Sequence, residues 1–408
     1  MSTALRSVGL LDILSSTSAG PGETPALPGR PASFVTPRVF RIFPVCQKAL
    51  PVGRRGSRVK KAIRDLFLAT ISVTFTQLNM RKELLEILDR FPECRIAVVG
   101  DLIADEFLYG RIARVSREAP VLVLEYRDLV RLPGGAANAA NNLLDLGCRV
   151  AVAGAVGRDE PGMDLIAVLR KKGADVRALR MARSYATPVK TRILAGAHHS
   201  AQQQIVRVDR VQKPGLPSAI PQGMLQRVVQ PSNAIIVSDY GYGNIAPALL
   251  DRLRRTADKK KIPIVVDSRF RMIDFHDVTS ITPNISELEA AVGVSIGSDE
   301  KLLRKTARRV LRKQRLQSLL VTQGRFGMTL FEPGKEPLHI PVYGTDEVAD
   351  VTGAGDTVIA VYTLALACGA PAEYAARLAN YAGGIVVMKR GTATVTLDEL
   401  RAAISADA

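Results

Sequence analysis

Five short apolar runs recur along the chain: Ile96-Ala-Val-Val99, Val150-Ala-Val-Ala153, Ala234-Ile-Ile-Val237, Ile264-Val-Val266 and Leu319-Leu-Val-Thr322. Stretches with helical spacing of apolar residues separate them. Short β-branched runs that alternate with helical stretches are typical of parallel strands covered by helices on both faces of a sheet. The sequence therefore predicts an α/β fold with a central, mostly parallel sheet.

Two further segments, Val121–Tyr126 and Thr187–Val208, alternate apolar and polar residues in polar surroundings. Such alternation is typical of a strand that buries only one face. We expect these segments to form a small antiparallel sheet that stands apart from the main one.

Residues 1–79 differ in composition from the rest of the chain. They are rich in Pro, Ser and Arg, poor in acidic residues, and show no sustained periodicity until about Val59. We predict an N-terminal extension over residues 1–79 and one catalytic domain over residues 80–408. Three interpretations of the extension stay open: a disordered tail, a transit peptide, or sequence translated from a start codon upstream of Met80.

The net charge of +17 raises the question of a nucleic-acid partner. Within the basic stretch Lys301–Arg315, apolar residues such as Leu303 and Val310 recur at helical spacing, which favours a helix with a solvated, charged face. The chain also has no Trp to stack on bases. We therefore predict no nucleic-acid partner.

The four cysteines, Cys46, Cys94, Cys148 and Cys368, lie far apart and form no CxxC pair. This pattern fits neither a disulfide framework nor a zinc site, and it predicts a reducing, cytoplasmic location. The longest apolar run, Val358–Ala370, is shorter than the roughly 18 residues that indicate a membrane span. We interpret it as a buried helix and predict no membrane partner.

The segment Asp350-Val-Thr-Gly-Ala-Gly-Asp356 precedes this helical run. Its small residues permit a tight turn in which the backbone N–H groups of residues 353–356 converge at a helix N-terminus, a site that binds anions. Asp356 would lie beside the anion and accept a proton from an attacking hydroxyl. The alternative is that the glycines only form a turn and Asp356 only caps the helix.

A second segment, Pro133-Gly-Gly-Ala-Ala-Asn-Ala-Ala-Asn-Asn142, lies about 220 residues before the first. Gly134 and Gly135 remove side chains where a ligand would approach the backbone, and Asn138 supplies an amide for sugar hydroxyls. Together the two segments closely resemble the two signatures of the PfkB family of sugar and nucleoside kinases. This resemblance implies a ribokinase-like, three-layer α/β sandwich with a small β lid near residues 105–130 and 185–210.

Further segments resemble the heptose-phosphate kinases of that family, including the kinase half of the bifunctional enzyme of ADP-heptose synthesis. These are Val98–Asp101, Ser116–Pro120, Thr282–Glu287 and Ala349–Ile359. The resemblance implies transfer of the γ-phosphate of ATP to the anomeric oxygen of heptose 7-phosphate. It also implies a homodimer formed through the lid.

The resemblance assigns three sets of site residues. The catalytic set would be the base Asp356 and the anion loop Gly353, Ala354 and Gly355. The substrate-binding set would be Asp101, Asp105, Gly134, Gly135, Asn138, Lys190 and Arg192. The ATP-binding set would be Asn284, Glu287, Thr322, Gly324, Gly327 and Asn380, and Glu287 would also order Mg²⁺, largely through water.

Bland interpretations of some of these residues stay open. Lys190 and Arg192 have the right charges for a phosphate tail, but they also fit an exposed strand with alternating charges. Asn284 and Glu287 have the spacing of a helix capping box, which is compatible with a role in metal binding.

Two departures from the heptose-kinase pattern affect the substrate assignment. Tyr242 replaces a lysine in the turn after Ser238-Asp-Tyr240, and Asp267-Ser-Arg269 replaces Asp-Pro-Lys. The alternatives are another ribokinase-, fructokinase- or nucleoside-type kinase, and a non-catalytic ribokinase-like binding protein.

Overall fold

The computed structural model describes residues 78–196, 202–211, 220–344 and 349–407. Nearly all of the predicted extension lies outside these ranges, so its nature stays a prediction. The expected boundary at Met80 falls within a helix that spans residues 78–89, in which Met80 packs against the core.

The described residues form thirteen strands and ten α-helices. The strands are β1 Arg95–Gly100, β2 Leu102–Val115, β3 Leu122–Gly135, β4 Arg149–Gly157, β5 Asp175–Ala182, β6 Val189–Gly196, β7 Gln203–Arg210, β8 Ala234–Asp239, β9 Ile264–Ser268, β10 Ser280–Ile281, β11 Ser318–Thr322, β12 Met328–Phe331 and β13 Leu338–Ile340. The helices are α1 78–89, α2 Ala136–Asp145, α3 Glu160–Lys171, α4 Gln222–Val229, α5 Pro247–Lys260, α6 Ile285–Val292, α7 Glu300–Lys313, α8 Ala354–Ala367, α9 Ala372–Val387 and α10 Leu397–Ala406.

The main sheet has nine strands in the order β13-β12-β11-β10-β9-β8-β1-β4-β5. The seven strands from β11 to β5 pair in parallel, and β12 and β13 add an antiparallel edge. All five apolar runs are strands of this sheet, which confirms the predicted fold class.

Alternating strand residues divide the core between the two faces of the sheet, because successive side chains of a strand point in opposite directions. Ile96 and Val98 belong to one buried cluster, which includes residues of α2, α8 and α9. Ala97 and Val99 belong to the other, which includes residues of α5 and α7. Helices therefore cover both faces, and α8 is the buried helix that the apolar run predicted.

A separate sheet with the order β3-β2-β6-β7 forms the lid. The pairs β2–β3 and β6–β7 are antiparallel, as expected, but the central pair β2–β6 is parallel. The parallel pairing arises because both strands lead away from the edge of the main sheet in the same direction. Its register aligns Asp105 with Lys190, and β7 places Asp209 opposite Lys190.

No helix of the described ranges is long and apolar enough to cross a membrane. Cys94, Cys148 and Cys368 are buried free thiols, and Cys46 lies outside the described residues. The cytoplasmic location stays a prediction.

Candidate active site

The N-terminus of α8 is shaped by Gly353, which adopts a left-handed conformation with φ 78°. A Cβ atom at this position would lie 2.5 Å from Nδ2 of Asn138. Only glycine combines this dihedral angle with such a close approach. The N–H of Ala354 donates to the carbonyl of Val351, whereas those of Gly355 and Asp356 find no acceptor within the described ranges. These two amides are available to an anion.

The carboxylate of Asp356 is buried, 4% exposed, and is held by two donors from distant elements. Nδ2 of Asn138, on α2, lies 3.0 Å from Oδ2, and the hydroxyl of Tyr240, which follows β8, lies 2.9 Å from Oδ1. Asp356 makes no side-chain cap of α8. The interpretation of Asp356 as a simple helix cap is therefore wrong.

Burial raises the pKa of Asp356 to about 6, and the negative charge of Asp105 adds to the rise. The two hydrogen bonds and the positive charge of Lys190 oppose it. A carboxylate whose pKa lies close to neutrality is suited to accept a proton from a hydroxyl.

Asparagine side chains join the segment Pro133–Asn142 to this helix. Nδ2 of Asn142 donates to Oδ1 of Asn138 at 3.2 Å, and the hydroxyl of Thr357 donates to Oδ1 of Asn142 at 3.0 Å. The chain orients the amide of Asn138 so that its Nδ2 points to Asp356. The two signature segments, far apart in sequence, thus form one hydrogen-bonded unit.

Asp101 has a different environment from the one expected of a sugar ligand. It is fully buried, and its carboxylate accepts four hydrogen bonds from the turn after β8: from the backbone N–H groups of Tyr240, Tyr242 and Asn244 and from Nδ2 of Asn244, at 2.8 to 3.1 Å. Burial raises the pKa of Asp101, and the donors of Asn244 and Tyr242 oppose that rise. In this structure Asp101 holds the turn.

Gly134 and Gly135 lie against the chain itself. A Cβ at Gly134 would lie 2.4 Å from Oδ2 of Asp105, and one at Gly135, with φ 56°, would lie 2.8 Å from the carbonyl oxygen of Asp101. These glycines therefore let β3 pass close to β2 where the lid meets the main sheet.

The two cations of the lid differ in their partners. Arg192 forms a buried ion pair with Asp105 at 2.6 Å and lies 5.3 Å from the ring centroid of Phe107. Nζ of Lys190 lies 4.7 Å from the ring centroid of Tyr240, and among the described residues no carboxylate is within ion-pair distance of it. Burial lowers the pKa of Lys190, and the charge of Asp105 opposes that effect. Both side chains are buried, so the interpretation of an exposed strand with alternating charges is wrong for them.

A second group of carboxylates lies at the C-terminal ends of β9 and β10. Burial, together with the charges of Glu287 and Asp356, raises the pKa of Asp267 well above its ordinary value. Burial also raises the pKa of Glu287. Asn284 and Glu287 form the expected capping box of α6, with reciprocal hydrogen bonds of 2.8 and 3.0 Å.

Asp267 and Glu287 suit Mg²⁺, which proteins usually bind through one or two carboxylates together with phosphate and water. A cation would relieve the repulsion that raises the pKa of Asp267. In the part of the chain that the structure describes, no group of three or more His, Cys, Asp or Glu side chains is arranged to hold a metal. The remaining ligands would therefore come from phosphate and water.

A cavity of about 570 Å³ lies beside the turn between β11 and β12, a size typical of small-molecule sites. Its lining includes Asn284, Thr322 and Gly324, but neither Gly327 nor Asn380. A Cβ at Gly327 would lie 2.1 Å from the carbonyl oxygen of Ile340. Nδ2 of Asn380 donates to the carbonyl of Pro341 at 2.8 Å. Both residues therefore fix the chain around β13.

The model of the pfkB family of carbohydrate kinases matches residues 95–399. The chain belongs to the pfkB family of carbohydrate kinases. As the sequence predicted, it is thus a member of a family of phosphotransferases that act on an alcohol group.

Curated relatives of this pfkB chain include proteins named bifunctional protein HldE. That of Trichlorobacter lovleyi is 42% identical over 330 residues, which are 80% of this chain and 66% of the relative. That of Geobacter metallireducens is 44% identical over 308 residues, 74% of this chain and 61% of the relative. The chain thus spans at most about two thirds of the length of these relatives.

Solved structures of a ribokinase and of a phosphofructokinase share the fold. Ribokinase of Arabidopsis thaliana, complexed with ribose and ATP, has a TM-score of 0.62 at 17% identity and covers 76% of this chain and 98% of its own. Phosphofructokinase-2 of Escherichia coli, in complex with substrates and products, has a TM-score of 0.60 at 19% identity and covers 77% and 98%. The predicted ribokinase-like sandwich with a small lid is confirmed.

Of the site residues predicted from the pfkB signatures, the structure brings together Asp356, Gly353, Asn138, Asp105 and Lys190. Asn284, Thr322 and Gly324 meet at the cavity, apart from Gly327 and Asn380. Sequence reasoning missed two residues, Tyr240 and Asp267. The signal for both was their place at the C-terminal ends of parallel strands, where α/β proteins bind ligands.

Proposed function

We propose that this chain transfers the γ-phosphoryl group of ATP to the anomeric oxygen of a heptose 7-phosphate. The observation that carries the proposal is the buried Asp356 carboxylate, held by Asn138 and Tyr240 at the N-terminus of α8. The segments that resemble heptose-phosphate kinases and the identity to the HldE proteins support the acceptor.

In the proposed mechanism Asp356 accepts the proton of the acceptor hydroxyl as that oxygen attacks the γ-phosphorus, and the bond from this phosphorus to the bridging oxygen breaks to release ADP. Each oxygen of its carboxylate has a lone pair left after accepting one hydrogen bond. The free amides of Gly355 and Asp356, at the positive end of α8, would stabilise the charge on the transferring phosphoryl group. These groups are fixed before substrate binds, so little reorganisation is needed during transfer.

Asp267 and Glu287 would hold Mg²⁺ beside the nucleotide phosphates. When bound, the cation would neutralise part of the negative charge of the phosphates. Arg269 lies two residues after Asp267, and its positive charge opposes the rise in the pKa of Asp267. We propose that Arg269 takes the place of the lysine found in the heptose-kinase pattern. The cavity lined by Thr322 and Gly324 would receive another part of the nucleotide.

The acceptor would lie between the lid and α8, with its phosphate tail near Lys190. Because Arg192 is already paired with Asp105, Lys190 is the lid cation that has charge to offer a dianion. The Asp105–Arg192 pair would contact sugar hydroxyls through its remaining donors and acceptors. Asp101 would act only through the turn that it holds.

A substrate-panel assay with product identification tests the proposal. ADP release is measured with heptose 7-phosphate, fructose 6-phosphate, free ribose, free fructose and a nucleoside, with Asp356→Asn as the control for contaminating kinases. We expect the highest kcat/KM with the heptose phosphate. A higher value with a free sugar or nucleoside would contradict the heptose assignment and leave only the broader pfkB activity. Thermal stabilisation by ATP without turnover of any acceptor would indicate the non-catalytic alternative.

We also propose that the lid forms a homodimer. Val206 and Val208 lie on the face of β7 opposite Arg207 and Asp209, and the two residues are 47% and 46% exposed. Leu129, on β3, adds to this apolar surface at 37% exposure. A second lid would bury it. Light scattering of the wild-type protein and of Val206→Asp tests this: a monomeric wild type would contradict the proposal.

A further inference from the structure

We propose that Tyr240 is a positioning residue that orients the Asp356 carboxylate for proton transfer, and that Asp101 acts through it. This inference rests on the proposed role of Asp356 as the base. Tyr240 lies outside both signature segments. Its hydroxyl donates a hydrogen bond to Asp356, which is 116 residues away in the sequence.

The geometry around the carboxylate leaves it one orientation. The hydroxyl of Tyr240 donates to Oδ1 at 2.9 Å, and Nδ2 of Asn138 donates to Oδ2 at 3.0 Å from the side of α2. With one donor on each oxygen, rotation of the carboxylate about its Cβ–Cγ bond would break both bonds. Removal of either donor frees that rotation.

Tyr240 is itself held at three points. Its backbone N–H donates to Oδ2 of Asp101 at 2.8 Å, and the following turn is tied to the same carboxylate through Tyr242 and Asn244. The ammonium group of Lys190 lies over its ring. A chain of contacts thus runs from Asp101, directly after β1, through the turn to Asp356. The carboxylate at position 101 is explained by this role, because its oxygens accept the hydrogen bonds that fix the turn.

The hydroxyl also has a defined electrostatic effect. The groups that face Asp356 are Asn138 on α2, Tyr240 after β8, Asp105 on β2, Lys190 on β6 and Asp267 on β9. A hydrogen bond donated to the ionised carboxylate favours ionisation. Loss of the Tyr240 hydroxyl therefore raises the pKa of Asp356 above about 6, provided that the other four groups stay in place.

The test uses Tyr240→Phe in the full chain, which keeps the ring beneath Lys190 and removes only the hydroxyl. The carboxyl carbon of Asp356 is followed by ¹³C NMR during a pH titration, with Asp356→Asn used to assign its signal. We expect the titration midpoint to move upward by about one pH unit. We also expect kcat to fall by about tenfold at pH 8 and more at pH 6, with the KM for ATP changed less than twofold.

Tyr362→Phe is the matched control. Tyr362 lies on the same helix as Asp356, and its hydroxyl forms a buried hydrogen bond of 2.8 Å with Ser318. Its loss removes a comparable hydrogen bond from the packing of α8 without touching the base. We expect the Asp356 titration midpoint and the pH at which activity rises to stay at their wild-type values in this variant.

The outcomes separate the inference from the proposed function. An unchanged Asp356 midpoint in Tyr240→Phe overturns the positioning role whatever the acceptor is, because the titration needs no turnover. An equal shift in Tyr362→Phe also overturns it, since the effect would then come from general loosening of α8. A wild type that turns over no acceptor in the panel, yet shows the Tyr240-dependent midpoint, would overturn only the proposed function.

Discussion

Asp101 and Asp356 are two buried carboxylates that flank the same turn, residues 240–244, yet they differ in their hydrogen-bond donors. Asp101 accepts four hydrogen bonds from that turn. Asp356 accepts one from the turn and one from α2, and burial raises its pKa to about 6. A carboxylate whose oxygens are satisfied by the protein is structural, whereas one left short of donors can exchange a proton.

Two buried cations of the lid, Arg192 and Lys190, also differ in their partners. The guanidinium of Arg192 is neutralised by Asp105, and the ammonium of Lys190 is buried without an ion-pair partner among the described residues. Leaving a charge unpaired costs free energy, so such a residue is expected where a charged ligand completes the pairing. Both side chains are buried, so the difference between Arg192 and Lys190 lies in the number and identity of their partners.

The largest effect expected from this contrast is on turnover. Asp356→Asn should lower kcat by at least about 100-fold, because a positioned general base contributes roughly that much. ATP affinity, measured by calorimetry, should change little. Near-normal turnover would remove Asp356 from the mechanism and would erase the difference between the two carboxylates.

Measurements of stability would test the difference between the two carboxylates further. The variants Asp356→Asn and Asp101→Asn should change the free energy of unfolding in opposite directions. Burial raises the pKa of Asp356 from 3.8 to about 6, so the protonated form is favoured in the folded protein. Its stabilising contribution is complete below pH 4 and is lost as the pH rises through about 6. Asp356→Asn should therefore raise the free energy of unfolding by at most about 3 kcal/mol at pH 8 and by little at pH 4.

Asp101→Asn should instead lower the free energy of unfolding by about 2 kcal/mol, because one of the two pairs of donors would face an amide NH₂ group. Urea denaturation at pH 4 and pH 8 measures both variants. A loss of stability at pH 8 in Asp356→Asn similar to that in Asp101→Asn would contradict the distinction.

The smallest effect concerns the lid. Lys190→Met keeps most of the side chain, removes its charge and should raise the KM for a sugar phosphate by about tenfold, since a charge-assisted hydrogen bond is lost. The KM for a free sugar should change less.

Arg192→Met should act differently, raising the KM for phosphorylated and free sugars alike, because it leaves Asp105 unpaired. Steady-state kinetics with a matched pair of sugar and sugar phosphate distinguishes the two, and equal discrimination in both variants would contradict the assignment of Lys190 to the phosphate tail.

Local chemistry explains the parts that could be predicted. The β-branched runs became strands of a parallel sheet, the glycine-rich loop became the N-terminus of α8, and Asn284 with Glu287 formed a capping box. Each of these depends on residues within a few positions of one another, or on burial of both faces of a strand. The pairing of β2 with β6 could not be read in this way, because alternation sets the face of each residue but leaves the direction of the neighbouring strand open.

The sequence by itself determined the fold class and the glycine-rich turn that begins α8, and it predicted Asp356 as the base, since spacing and side-chain type carry that information. Only the tertiary structure decided which charges have partners. Asp101 became a structural acceptor, Arg192 became paired, and Tyr240 reached Asp356 because β1 and β8 of the main sheet end close to where β2 and β6 of the lid begin. The number of donors around a carboxylate depends on that long-range arrangement, which no local pattern encodes.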